Sequence, residues 1–128
     1  MRQRNESDLF FIEVMLDRFL RIDEYLQKLT SVGFHLNDEM VLDSLAFQLA
    51  QAGEQLASGK LSTELRERFQ DVQWVKIRRL RNFISHSYVS KQNYKLIEII
   101  REEVPEHIEQ LQRVRSYLVG VLEDGVEL

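Results

Sequence analysis

Apolar residues recur at helical rather than strand spacing along most of the chain. Over 7–30, Ile12, Met15, Phe19, Ile22, Leu26 and Leu29 fall three or four residues apart, the period of one helix face. Phe11, Val14 and Tyr25 widen that face, which predicts a helix touching more than one neighbour, with a second subunit one candidate. Gly33 follows, where a left-handed cap costs little. A second helix, capped by Asn37 or Asp38 and reaching 58, carries Leu42, Leu45, Leu49, Ala52, Gly53 and Leu56, and its small residues permit close helix approach. Gly59 is its expected stop, and Ser62 caps a short piece over 63–69. A third helix over 71–85 turns Trp74, Ile77, Leu80 and Ile84 inward and sets Arg78, Arg81 and Ser85 along another face. After a connection at 87–90, a fourth helix begins near Ser90 and buries Leu96, Ile97, Ile100 and Val104. Pro105 either kinks it or opens a new helix, and Ile108, Leu111, Val114 and Leu118 carry the period to about 122. No window alternates with period two. The expected architecture is an all-α, up-and-down bundle of four to five helices, one domain over 1–128, with the polar residues 1–6 disordered.

Composition narrows the function classes. With 44% apolar and 30% charged residues the chain is expected to fold as an ordinary globular protein. It has no cysteine, so no disulfide framework and no thiolate metal site, which suits a reducing compartment. Apolar runs fall far short of the ~20 residues of a membrane span, and no basic-then-apolar leader opens the chain, so a cytoplasmic location is expected. The net charge of −4 speaks against nucleic acid until its distribution is considered. Residues 66–95 hold eight Lys/Arg and two acids, a local excess of six positive charges, and the rest of the chain carries an acidic excess of ten. Such asymmetry can build a cationic face on an acidic protein, or merely a solvated helix face.

Within that basic segment, Arg81-Asn82-Phe83-Ile84-Ser85-His86-Ser87-Tyr88 concentrates the reactive side chains. Arginine offers planar, permanently charged donors that match phosphate oxygens. Histidine, whose free side chain titrates near ~6.5, serves as base or acid near neutrality. On a continuous α-helix, five steps would rotate Arg81 and His86 about 140° apart, so they converge only if the helix ends near His86 or a second subunit supplies the partner. Plainer roles exist for each residue: an ion pair for Arg81, a helix C-cap for His86, a backbone cap for Asn82 and packing for Tyr88. Trp74 reads as core, and Arg78 and Arg79 as solvated or RNA-steering. His35 and His107 read as incidental. Glu103 and His107, four residues apart, do not make a metal site, and no metal is called for. Ser85 beside His86 has no oxyanion motif, and no glycine loop for nucleotide phosphates is present.

The order Trp-x2-Ile-x2-Leu-Arg-Asn-x3-His-x-Tyr over 74–88 resembles the HEPN superfamily, specifically the HepT-like toxins. The resemblance starts at Leu45 and takes in Leu49-Ala50-Gln51-Ala52-Gly53-Glu54. It runs on through Val104-Pro105 to about Leu111. Gln73, Arg79 and Ser87 depart from the proline, glycine and glycine common there, and none of these changes removes a reactive group. The resemblance implies a homodimer with two Arg/His motifs meeting in a cleft, and a toxin of a prokaryotic toxin–antitoxin pair. The implied activity is a metal-independent endoribonuclease without cofactor that cleaves RNA by 2′-OH attack. It also implies inhibition by a minimal nucleotidyltransferase, MntA-like, that transfers AMP from ATP to a tyrosine. By position, Arg81 and His86 are the catalytic pair, Asn82 a supporting polar group and Tyr88 the AMPylation site, with Arg78 and Arg79 as possible RNA contacts. The alternative is an inactive accessory subunit that binds substrate for the nucleotidyltransferase; retention of both Arg81 and His86 favours the enzyme.

Overall fold

The computed structural model describes residues 1–57, 59–88 and 93–124, and the side chains of Ser87 and Tyr88 lie outside that description. Six α-helices follow one another: α1 Arg2–Ser31, α2 Glu39–Glu54, α3 Thr63–Arg68, α4 Trp74–Asn82, α5 Asn93–Glu98 and α6 Val104–Asp124. Two π-helical segments, Phe83–Tyr88 and Ile99–Glu103, continue α4 and join α5 to α6. Among the described residues there is no strand, and the fold is an all-α bundle. No described helix is long and apolar enough to cross a membrane.

The expected apolar stripes form the core. Ile12, Met15, Phe19 and Ile22 of α1 are fully buried, as are Leu45, Leu49 and Ala52 of α2 and Ile77 of α4. α1 packs against α2 and α6, and α2 packs in turn against α4. Of the residues that widen the face of α1, Phe11 and Tyr25 are half-buried against the core, and Val14 is half-buried. The end of α1 is closed as expected, with Gly33 at φ +98° and Phe34 N–H donating to Leu29 O.

Five boundaries differ from the periodicity, among them the start of α4, at Trp74 rather than 71. The first helix starts at Arg2 rather than Ser7, because Asn5 is buried and Arg2 reaches the Leu122 carbonyl across the bundle. Asp8, 2% exposed, accepts from both the backbone N–H and the hydroxyl of Ser62, while Ser62 Oγ caps α3 by accepting from Leu65 N–H. α2 stops at Glu54, where the backbone tightens into successive three-residue turns. Ser87 and Tyr88, expected in a connection over 87–90, belong to the π segment; Val89 and Ser90 lie outside the described residues. At Pro105 the rod continues, and the π segment just before it widens the turn to accommodate the ring and the missing N–H.

In α6, Val104, Leu111, Val114 and Leu118 are buried as their period predicts, His107 and Val121 complete the stripe, and Ile108 is half-buried against the core. His107 is 0% exposed, lies 5.4 Å from the Phe19 ring centroid, and has no hydrogen-bond partner among the described residues. Burial, helped by the charge of Lys76, pushes its pKa down to about 4. An unfolded histidine takes its proton near ~6.5, so the stability that the neutral ring allows is whole above that pH and is lost as pH falls towards 4. His107→Leu is expected to remove this dependence. Between pH 7 and pH 5 the wild type should lose about 2 kcal/mol more than the variant, measured by urea denaturation at both pH values. Equal losses would show that the ring protonates at little cost.

Candidate functional site

The site forms where α2 and α4 come closest. Gly53 lies against the α4 backbone, so near that a Cβ there would stand 2.8 Å from Ile77 O and 2.9 Å from Arg81 N. The next residue, Glu54, therefore ends α2 directly beside Arg81, and Glu54 Oε2 forms an ion pair with Arg81 Nε at 3.0 Å. Lys60 comes to 3.9 Å from the other oxygen of the same carboxylate. Arg81 is 59% exposed and Glu54 33%, so one edge of the guanidinium is held while the rest faces solvent. This is an ion pair of modest strength whose main effect is orientation.

The sequence reading offered an ion pair as the plainer role of Arg81. The structure shows the pair, and it leaves the side chain open to an anion. Arg78, Arg79 and Asn82 border the same cleft with Gly53, Glu54 and Ala57. Asn82 is exposed at the last position of α4.

His86 is exposed and sits in the π segment Phe83–Tyr88. A π turn is closed by i→i+5 bonds and holds more residues per turn than an α turn. The rotation between Arg81 and His86 therefore falls below the ~140° of an unbroken α-helix, and the motif turns further towards one face. Tyr88 ends that segment, and its side chain lies outside the described residues. Among the described residues no group of three or more acids and histidines is placed to share a metal ion. Trp74, expected in the core, is half-buried at the edge of α4 and donates its indole N–H to Phe69 O.

Periodicity did not single out Glu54. The available signal was Gly53, because a glycine inside a strongly helical stretch marks close approach and the residue after it inherits the neighbouring helix as partner. The pairing predicts the behaviour of Glu54→Gln, which keeps the shape but frees the guanidinium. On a reading in which Arg81 carries a reacting phosphate, kcat for RNA cleavage should fall about tenfold with the loss of its set position, while KM does not rise. A raised KM at unchanged kcat would show that Glu54 acts on binding instead.

A family model described as Ribonuclease HepT-like matches residues 15–114. No curated protein and no solved structure matches the chain. The matched span covers well over half of the sequence and takes in the close approach at Gly53, the Glu54–Arg81 pair and His86, and on it the chain belongs to the HepT-like ribonuclease family.

Proposed function

We propose that the protein is the toxin of a prokaryotic toxin–antitoxin pair and cleaves RNA without a metal ion. The RNA supplies its own nucleophile. His86 accepts the 2′-OH proton, the 2′-oxygen bonds to phosphorus, and the 5′-oxygen leaves with a proton from a second acid. Arg81 carries the charge that develops on the phosphate oxygens. Products are a 2′,3′-cyclic phosphate and a 5′-OH, and DNA, lacking the 2′-OH, is not cut. A homodimer that apposes two motifs lets two His86 side chains divide the roles of base and acid. The observation that carries the reading is Arg81, oriented by Glu54 at the mouth of a cleft bordered by Arg78 and Arg79, with His86 in the widened turn that follows.

Control by a partner nucleotidyltransferase completes the proposal. The Tyr88 oxygen attacks the α-phosphorus of ATP, pyrophosphate leaves, and the added AMP sets an anion near Arg81 that competes with RNA. The test is purified protein on RNA in EDTA, beside His86→Ala, with Tyr88 shown to be unmodified by mass spectrometry. Cleavage by the wild type alone, leaving cyclic-phosphate ends, supports the enzyme. No cleavage by either protein rejects it for the RNAs used and favours an accessory subunit that binds substrate for the nucleotidyltransferase.

A further inference from the structure

The cleft at Arg81 does not end there. A second hollow shares Ala57 and Arg78 with it and is walled by Leu56, Leu61 and Arg66. A third shares Leu56, Arg66 and Arg78 and adds Trp74 and Val75. Arg78 borders all three, so they form one track along α4. From Arg81 back to Trp74 is seven residues, about 10 Å of helix.

The chemistry of the track is uneven across its width. Its cations are Arg66, Arg78 and Arg79, all exposed. Arg78 and Arg79 hold no side-chain partner among the described residues, and Arg66 reaches only Ser62 O at 3.4 Å and Thr63 Oγ1 at 3.5 Å. The acid at its mouth, Glu54, is engaged with Arg81. Its apolar surface lies at the Trp74 end: Val75 is 48% exposed, and the half-buried Trp74 ring is fixed by its bond to Phe69 O, while Leu56 and Leu61 are buried beneath. Cations that follow a backbone beside apolar and aromatic surfaces for bases are what a single nucleic-acid strand needs. A duplex keeps its bases stacked inside and would leave the Trp74 and Val75 surface unused.

We propose that this track binds the single-stranded RNA flanking the scissile phosphate, with Arg78 and Arg66 on phosphates beyond the one at Arg81 and Trp74 with Val75 against a base. The proposal rests on the ribonuclease reading of the site and adds the form of the substrate and the residues that grip it outside the reacting centre.

The test separates gripping from cutting. His86→Ala protein, with the track intact, is titrated by fluorescence anisotropy with a short single-stranded RNA and with the same sequence as a duplex, over a range of salt. The titrations are repeated with Arg66→Gln and Arg78→Gln added, and with Arg101→Gln as a charge control away from the track. The single strand should bind more tightly than the duplex. The paired replacement should weaken it about tenfold and lower the slope of log Kd on log salt by about 1.4, two contacts' worth for a single strand, with Arg101→Gln near wild type. Arg66→Lys with Arg78→Lys should restore most of the binding. In the cleaving protein the paired glutamine variant should raise KM and hold kcat within about twofold. Unchanged affinity and slope, or a duplex bound as tightly as the single strand, would overturn the track while leaving cleavage at His86 standing. A wild type that cuts nothing, with the binding differences present, would reject the ribonuclease reading and keep the track.

Discussion

His86→Ala should slow single-turnover RNA cleavage by about 10²–10⁴-fold, the range lost with a general acid or base, with little change in RNA affinity. His86 is exposed in the π segment, so its removal leaves no cavity and the thermal midpoint should stay close to wild type. Arg81→Ala should cost a similar factor for a different reason. It removes the phosphate cation and also leaves the Glu54 carboxylate, one-third exposed, without its 3.0 Å partner at the mouth of the cleft, where it repels RNA. The two variants are distinguished by KM, which should rise for Arg81→Ala and hold for His86→Ala. In the proposed mechanism the two residues act in one step, so the double variant should be scarcely slower than the worse single one. Full cleavage by His86→Ala, at a preparation purity that excludes a contaminating nuclease, would remove the histidine from the mechanism.

The second large effect lies at Gly53. In a free helix, glycine to alanine gains about 1 kcal/mol, and a stabilised variant would be the ordinary expectation. Here the new Cβ meets two backbone atoms, Ile77 O at 2.8 Å and Arg81 N at 2.9 Å, and backbone has no rotamer by which to yield. α2 and α4 must separate, an overpacking cost of about 1–3 kcal/mol, and the separation pulls Glu54 from Arg81. Gly53→Ala should therefore lower the thermal midpoint and also reduce cleavage in the fraction that remains folded. Gly120→Ala is the matching control: a Cβ there meets nothing within 4 Å, and the variant should be at least as stable as wild type. A Gly53→Ala protein as stable and active as wild type would mean that the helices can part without cost.

The fold was legible where the period was uninterrupted. Ile12 to Ile22 and Leu42 to Leu49 are buried as their spacing requires, because an amphipathic stripe has one way to face a core. Legibility failed where the turn itself changes. A six-residue π segment is too short to print its own period, so the continuation of α4 through Tyr88 read as a helix end followed by a loop. After Pro105 the stripe of Leu111, Val114 and Leu118 was legible too, and only His107, a polar residue in an apolar place, was not. At the site, Arg81 and His86 stood out by residue type and motif. Glu54 did not, because its role depends on a neighbour twenty-seven positions away that only the packing at Gly53 brings close.

A π turn is what an α-helix becomes when it accommodates one residue more than its hydrogen-bond ladder has room for. The four residues between Arg81 and His86 thus amount to a regular helical spacing of three with an insertion kept in place. Excising one of them would let the helix close its ordinary i→i+4 ladder through this stretch and shed the irregularity. The cost of carrying it falls on stability, and the benefit is confined to the direction in which one imidazole points. Shortened versions of this motif should therefore make sturdier helices and poorer nucleases.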